Sequence, residues 1–302
     1  MRALLIMGPT ASGKSALALA LAERLDGEIV NADSMQAYRD FRILTARPTP
    51  DEEAQAPHHL YGHVDAGEVY SVGRWLSEVM SAIAEINARG RAPIVAGGTG
   101  LYFKALTEGL ADIPAADEAL RARLRERVVH DGAPALHAEL ARLDPRTAAR
   151  LQPNDTLRIL RALEVWETTG ESISALQGQT APTLARDRWT GITLTPAREA
   201  LYAAINRRFD AMLECGALEE VRAFAARGLD RALPAMKAHG APALLAHLRG
   251  ELSLAEAGQI AKRDTRRYAK RQFTWIANQM RDWPRIVASD TASRMEAVLK
   301  VL

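Results

Sequence analysis

Short apolar runs alternate with amphipathic stretches over the first third of the chain. Residues Ala3–Met7 predict a buried strand, Ser15–Leu25 predict an Ala- and Leu-rich helix, and Glu28–Ala32 predict a second strand. Ser71–Arg89 has helical periodicity and ends at Gly90, and a third apolar strand in the letters APIVAGGTG then enters a Gly-rich turn. Strands separated by helices predict a parallel sheet covered on both faces, whose ligands lie at the carboxyl ends of the strands.

The pattern changes after Pro114. Several successive stretches have helical periodicity, punctuated by Asp, Asn, Pro and Gly, and no strand pattern returns before the letters RWTGITLT near residue 189. We therefore predict an all-helical insertion domain at 113–187, carried by a core that comprises 1–112 and 188–302.

The composition is that of an ordinary globular protein, with 48% hydrophobic and 25% charged residues in a chain of 302. The single cysteine, Cys215, cannot form an internal disulfide, which favours a reducing compartment. No apolar run approaches the roughly 18 residues of a membrane span, and the N-terminal residues lack a signal-peptide pattern. These features predict a cytoplasmic protein with no membrane contact.

Charge is unevenly distributed, although the formal net charge is only +2. Residues 188–302 contain 19 basic and 12 acidic side chains, whereas acidic side chains are in slight excess in both preceding segments. The excess of positive charge predicts a polyanionic partner for the C-terminal part of the chain.

The letters GPTASGKS, from Gly8 to Ser15, match the phosphate-binding pattern G-x-x-x-x-G-K-[ST] between a strand and a helix. In such a loop backbone N–H groups and Lys14 hold phosphate oxygens, while the Ser15 hydroxyl serves Mg²⁺. The pattern predicts phosphate but specifies ATP only weakly. The third strand ends in Ala and Gly, whereas the corresponding strand of a P-loop ATPase usually ends in Asp.

Polar residues follow the other two predicted strands. Asp33 could bind magnesium, act as a general base or cap a turn, and the residues alone leave these three roles open. The Gln36 amide offers both a donor and an acceptor to a base edge. Thr99 follows two glycines, where its hydroxyl can approach a phosphate or cap a helix.

Arginines and aromatic residues concentrate near the C-terminus. Arg207 and Arg208 are neighbours on a predicted helix and point in different directions, so one can reach a phosphate while the other meets solvent. Ser253 and Glu256 form a capping-box pattern that begins a long basic helix. Three basic residues share one face of it: Lys262, Arg266 and Lys270. Together with the regional charge, this face favours contact with a phosphodiester backbone over a merely solvated surface.

These motifs together resemble the tRNA dimethylallyltransferases, also called tRNA isopentenyl-pyrophosphate transferases. The resemblance runs over nearly the whole chain, through GPTASGKS, DSMQAY, GGTGLYFKAL, NDTLRILRALEV, INRRFDAML and AKRQFTWI in family order. It implies an α/β fold with a P-loop NTPase-like parallel-sheet core and a helical insertion domain that contacts tRNA. It also implies that the exocyclic amine of the adenosine immediately 3′ of the anticodon, in tRNAs reading codons that begin with U, attacks dimethylallyl diphosphate and releases diphosphate.

The resemblance further implies the residues of the site. Asp33 would be the general base, and Thr10, Thr99 and Arg208 would assist catalysis at the diphosphate. The diphosphate would be bound by Gly8, Pro9, Thr10, Ala11, Ser12, Gly13, Lys14, Ser15 and Arg208, with Mg²⁺ on Ser15. The tRNA-binding positions would be Asp33, Ser34, Met35, Gln36, Thr99, Arg121, Leu157, Arg158, Ile159, Leu160, Arg161, Lys237, Arg266, Lys270 and Arg271.

One segment departs from the family pattern. The letters MKAHGAPALL stand where many relatives have Gly-Tyr-Arg or Gly-Tyr-Lys, so Ala241 and Pro242 replace an aromatic and a basic residue. This weakens the transfer of tRNA contacts to 237–242, although Lys237 stays a candidate phosphate contact. We expect a monomer of the bacterial type, without the zinc-finger extension of eukaryotic relatives.

Two other functions compete with this interpretation. A P-loop kinase acting on a small molecule or nucleotide would share the loop, the magnesium and the fold, but has no need of a basic aromatic helix. A non-catalytic, nucleotide-gated RNA-binding protein would keep that helix, but needs no base at Asp33.

Overall fold

The structure is a computed structural model. It describes four ranges of the chain: residues 1–111, 113–114, 116–178 and 180–302. The described residues form two compact units, 1–107 with 184–302, and 108–183. The sequence placed the insertion at 113–187, and its boundary at 112 lies outside the described residues. Leu184 belongs with the first unit because its N–H donates to the carbonyl of Leu106 (2.9 Å).

The first unit is a parallel sheet with helices on both faces, as predicted. In the described residues the sheet has six strands: β1 (Ala3–Met7), β2 (Gly27–Asn31), β3 (His58–His59), β4 (Ala92–Gly97), β5 (Trp189–Leu194) and β6 (Arg285–Ile286). Their order is β3-β2-β4-β1-β5-β6, and every neighbouring pair is parallel. Its α-helices are α1 (Lys14–Leu25), α2 (Pro50–Gln55), α3 (Val72–Ala88), α4 (Gly100–Glu108), α10 (Arg198–Glu214), α11 (Ala217–Ala226), α12 (Ala241–Leu248), α13 (Leu254–Gln279) and α14 (Thr291–Leu299).

Burial on both faces explains the continuous apolar runs of the central strands. Leu4 and Ile6 of β1 pack in one buried cluster with residues of α1 and α14, whereas Leu5 and Met7 join the larger cluster on the opposite face. A strand that alternates between two hydrophobic layers has no solvent-facing side, so every one of its residues is apolar.

In the described residues of the second unit, all regular secondary structure is helical. Its helices are α5 (Glu118–Asp131), α6 (Ala133–Leu143), α7 (Pro145–Ala148), α8 (Thr156–Thr169) and α9 (Ile173–Gln177). This unit has a hydrophobic cluster of its own, which includes Leu124, Leu136, Leu140, Ile159 and Leu163. No helix within the described ranges of the chain is both long and apolar enough to cross a lipid bilayer.

Candidate active site

The glycine-rich loop Gly8–Gly13 connects the end of β1 to the start of α1. Its Gly8 N–H donates to the Gly97 carbonyl (3.2 Å), and the Ser12 N–H donates to the Pro9 carbonyl (3.1 Å). Gly13 has φ +82°, a left-handed conformation that favours glycine, and the guanidinium of Arg294 packs against it. The loop therefore presents the N-terminus of a twelve-residue helix, which favours an anion.

Two cations converge on this loop. Lys14 opens α1, and burial lowers its pKa to about 8, opposed by the charge of Asp33 and assisted by that of Arg208. Arg208 on α10 donates a hydrogen bond to the Thr10 hydroxyl, while its neighbour Arg207 is exposed. The two side chains concentrate positive charge where the loop amides already favour an anion.

Asp33 lies beyond the carboxyl end of β2, and the fully buried Asn31 holds its backbone. The Asp33 N–H donates to Asn31 Oδ1 (2.8 Å), and Asn31 Nδ2 donates to the Asp33 carbonyl (2.9 Å). Asp33 Oδ1 accepts the Met35 N–H (3.0 Å), so the carboxylate does close a turn. Its other oxygen lies beside the Gly98 backbone. Burial of Arg208 lowers the pKa of that guanidinium, and the Asp33 charge opposes this shift.

Thr99 connects the ends of β2 and β4. Its hydroxyl accepts the Ser34 N–H (3.0 Å), and its own N–H donates to the Ala32 carbonyl (3.1 Å). The Gln36 Nε2 donates to the carbonyls of Thr45 (2.9 Å) and Ala46 (2.7 Å). These bonds connect the segment around Thr45 to the site. In this conformation the Gln36 amide therefore organises the protein backbone.

Gln272 on α13 is a site residue that the sequence analysis missed. Its Oε1 accepts the Thr10 N–H (2.9 Å), and its Nε2 donates to the Gly98 carbonyl (2.8 Å). The side chain is 3% exposed, so it connects the glycine-rich loop Gly8–Gly13 to the segment after β4 from within the core. The sequence did contain a signal for Gln272: it is a polar residue on the apolar face of an amphipathic helix, beside Ala269 and Ile276.

Two cavities meet at Arg208. The larger has a volume of about 520 Å³, and its lining includes Lys14, Ser15, Tyr61 and Cys215 together with aliphatic side chains. The smaller is lined on the other side by Thr10, Asp33, Met35, Arg208, His239 and Tyr268, among others. Arg208 thus lines both an open, largely apolar space and the cavity that contains the Asp33 side chain.

The predicted basic face of α13 is partly occupied by contacts within the protein. Lys262 pairs with Asp210 (2.5 Å), and Arg266 donates to Asn206 Oδ1 (2.6 Å) on α10. Lys270 and Arg271 are exposed on the same helix, and the Arg271 guanidinium lies 5.5 Å from the ring centroid of Tyr268. These two residues are the more available part of the face. Lys237, before α12, is also exposed.

The insertion residues predicted to contact tRNA differ in accessibility. Leu157 is 72% exposed, and Arg158 is exposed beside Asp155 (3.2 Å). Arg121 and Arg161 have salt-bridge partners in their own helical segments, Glu118 (4.0 Å) and Glu164 (3.3 Å) respectively. Leu160 is half-buried. Ile159 is fully buried in the hydrophobic cluster of this unit, so its side chain is a core residue and no surface contact.

The fold and the site define an α/β protein with a glycine-rich loop at a helix N-terminus, two converging cations and a carboxylate at the adjoining strand end. A family model described as IPP transferase matches residues 36–279. The chain belongs to the IPP transferase family.

Individual relatives agree over nearly the full length. A tRNA dimethylallyltransferase of Nitrobacter hamburgensis is 56% identical over 298 residues, which cover 98% of this chain and 94% of that protein. A tRNA isopentenylpyrophosphate transferase of Bacillus halodurans has a TM-score of 0.71 at 37% identity, and the match covers 99% of this chain and 95% of that one. A eukaryotic dimethylallyltransferase, described as acting on tRNA, has a TM-score of 0.82 at 31% identity, with coverage of 96% and 74%.

Proposed function

We propose that this protein transfers the dimethylallyl group of dimethylallyl diphosphate to the exocyclic amine of the adenosine immediately 3′ of the anticodon, in tRNAs reading codons that begin with U. The observation that carries the proposal is the convergence of Lys14 and Arg208 on the phosphate loop with Asp33 beside them. A leaving diphosphate needs concentrated positive charge, and an amine nucleophile needs a base. Naming of the relatives as tRNA dimethylallyltransferases supports the same reaction.

On the donor side, the loop amides and Lys14 would hold the diphosphate, and Arg208 would bridge to it from Thr10. Ionisation of the allylic C–O bond leaves negative charge on the diphosphate oxygens. Preorganised cations stabilise that charge as it develops, which is usually the largest contribution that a site makes to catalysis. The larger cavity beside Lys14 and Ser15 gives the donor access to the loop.

Magnesium fits the same place. Ser15 follows Lys14 at the start of α1 and lines the larger cavity, so its hydroxyl is available to a cation that also contacts diphosphate oxygens. Mg²⁺ is commonly bound by few protein ligands together with substrate phosphates. When bound there, the ion would add charge neutralisation to the departing diphosphate.

On the acceptor side, Asp33 would take the proton that the amine loses as the new C–N bond forms. Its Oδ1 is occupied by the Met35 N–H, which leaves Oδ2 to face the incoming amine. The base must leave its stack to reach a carboxylate at this depth, as in other enzymes that modify bases. Met35 donates its N–H to that carboxylate, and Ser34 is bonded to Thr99 beside it. These three residues, together with Gln36, are the candidates for contacting the base.

The tRNA backbone would be bound by exposed cations. The exposed residues Lys270 and Arg271 on α13 and Lys237 before α12 are accessible for this role. Further cations would join after giving up their present partners: Arg266 on α13, and Arg121, Arg158 and Arg161 on the insertion. Phosphate contacts from such side chains supply most of the affinity and make it salt-dependent. We propose that the enzyme modifies tRNA in the cytoplasm and acts as a monomer.

The test is to incubate the protein and Mg²⁺ with unmodified tRNA and either dimethylallyl diphosphate or ATP, and then to weigh nucleosides from the digested tRNA. We expect a five-carbon mass increment on one adenosine, only with dimethylallyl diphosphate. A phosphate increment on any acceptor with ATP would favour the kinase alternative. Tight tRNA binding without any mass change would favour the RNA-binding alternative.

A further inference from the structure

His239 lies in the segment that departs from the family pattern, and its side chain lines the smaller cavity together with Asp33 and Arg208. This is the side of the phosphate loop on which the acceptor base would arrive. The residue is half-buried, so part of its ring remains accessible from the cavity.

The backbone fixes the position of this ring. Ala238 before it is fully buried, and the Ala241 N–H donates to the Ala238 carbonyl (2.9 Å). Gly240 after it has φ +97°, and an added Cβ there would lie 3.0 Å from Phe209 Cε2 and 3.1 Å from Leu44 Cδ1. Both neighbours are therefore held in place, and His239 is turned into the cavity by the fold itself.

His239 forms an aromatic pair with Tyr268 of α13. The ring centroids are 4.2 Å apart at an interplanar angle of 40°, and both rings line the same cavity. Burial lowers the pKa of His239 and is opposed by the charge of Asp33, so the cavity favours the uncharged imidazole. A neutral ring joined to a phenol presents a π surface beside the carboxylate without adding a charge that would compete with it.

We propose that His239 and Tyr268 form the stacking platform that receives the extruded acceptor base. This rests on the proposed function, and it adds two positioning residues to the reaction. A base pulled from the anticodon loop loses its stacking partners, and an aromatic surface in the site restores them. Because Asp33 lines the same cavity, a purine resting on this pair has its exocyclic amine within the part of the site that the carboxylate serves.

The experiment compares two anticodon stem-loops, one with adenosine and one with an abasic site at the acceptor position. Their affinities are measured for the wild type and for His239→Leu, His239→Phe and Tyr268→Leu. Removal of an aromatic partner typically weakens a base contact by roughly 5- to 150-fold. We expect the preference for adenosine over the abasic loop to fall by that factor in both leucine variants and to persist in His239→Phe, which keeps a ring.

The control is His247→Leu on α12, whose imidazole bonds the Leu252 carbonyl. It should keep the wild-type preference, and diphosphate affinity should be unchanged in every variant, which also verifies folding. If His239→Leu does not fold, Tyr268→Leu decides the outcome.

Leucine variants that keep the full preference for adenosine would overturn the platform, as would a preference lost equally in His239→Phe. Prenylation by the wild type is measured alongside. Its absence would refute the proposed function, whereas prenylation combined with an unchanged base preference would refute only the platform.

Discussion

Gln272 and Thr10 are 262 positions apart, yet Gln272 Oε1 accepts the Thr10 N–H at 2.9 Å. The same amide donates to the Gly98 carbonyl at 2.8 Å. The buried face of helix α13 therefore holds the glycine-rich loop through Gln272, whereas another face of the same helix exposes Lys270 and Arg271. One rigid element connects the surface proposed for tRNA to the loop proposed for the diphosphate.

Replacing Gln272 by Ala should loosen the loop. A buried polar group left unpaired costs about 1–3 kcal/mol, and both the Thr10 N–H and the Gly98 carbonyl lose a partner. We expect weaker diphosphate binding by roughly tenfold or more, measured by calorimetry, with a lower melting temperature. Asn278→Ala, at an exposed position of the same helix, is the matched control and should change neither. Unaltered diphosphate affinity in a folded Gln272→Ala protein would contradict the tethering role.

Asp33→Asn should separate the three roles open to this residue. Asparagine Oδ1 can still accept the Met35 N–H, so the turn and the fold should persist. Loss of a general base should slow single-turnover prenylation by roughly 10²- to 10⁴-fold at saturating substrates. Substrate affinities should be kept. Partial recovery at raised magnesium would instead indicate a metal ligand, and near-normal turnover would exclude the base role.

The affinity for diphosphate should depend on pH through Lys14. Burial lowers its pKa to about 8, so the free enzyme carries this charge below that pH and loses it as the pH rises through it. Bound diphosphate favours the charged form, so binding above about pH 8 should take up a proton. Calorimetry in two buffers of different ionisation enthalpy measures this uptake.

Lys14→Arg is the comparison for that measurement, because its charge persists throughout the range. We expect its proton uptake above pH 8 to vanish, leaving only the ionisation of the ligand itself. Equal uptake by the two proteins would show that Lys14 is not the titrating group.

Lys14→Ala should lose diphosphate affinity and retain affinity for tRNA.

Neutralising Lys270 and Arg271 to Gln should weaken tRNA binding and flatten its salt dependence. Each lost phosphate contact reduces the slope of log K against log salt by roughly 0.7–0.9. Arg266 is left in place because it donates to Asn206 and its loss would also disturb the packing of α10. Arg249→Gln, which removes a surface partner of Glu251, should leave the slope at its wild-type value. The prediction fails if the double variant also keeps that slope.

Local patterns predicted the elements that are long and strongly periodic. The central strands β1, β2 and β4 and the capping box that begins α13 are confirmed. β3 and β6 have two residues each, too few for a periodicity to appear, and form because a neighbouring strand edge is already in place. The two edge strands of the sheet therefore could not be predicted from hydrophobic periodicity.

The site could be predicted where a local motif fixes the backbone, and less well where its contacts join residues that are distant in the sequence. Gly8–Ser15 form the loop that their spacing indicates, and Arg208 rather than Arg207 reaches it. Gln272 was missed because both of its partners lie in distant parts of the sequence. Ile159 stands within a predicted surface motif, yet its side chain faces the core of its own helix bundle, which the motif alone does not reveal.

The order of the strands has a consequence for how the chain acquires its structure. β1, which is synthesised before the other five described strands, lies in the middle of the sheet, and its neighbour β5 begins only at Trp189. Until the whole insertion and β5 have been synthesised, one edge of an entirely apolar strand lacks its partner. Pairings between such distant segments fold slowly, and an open apolar edge invites association with other chains. A nascent chain halted before residue 189 should therefore be a better substrate for chaperones than the insertion alone, which can bury its own leucines.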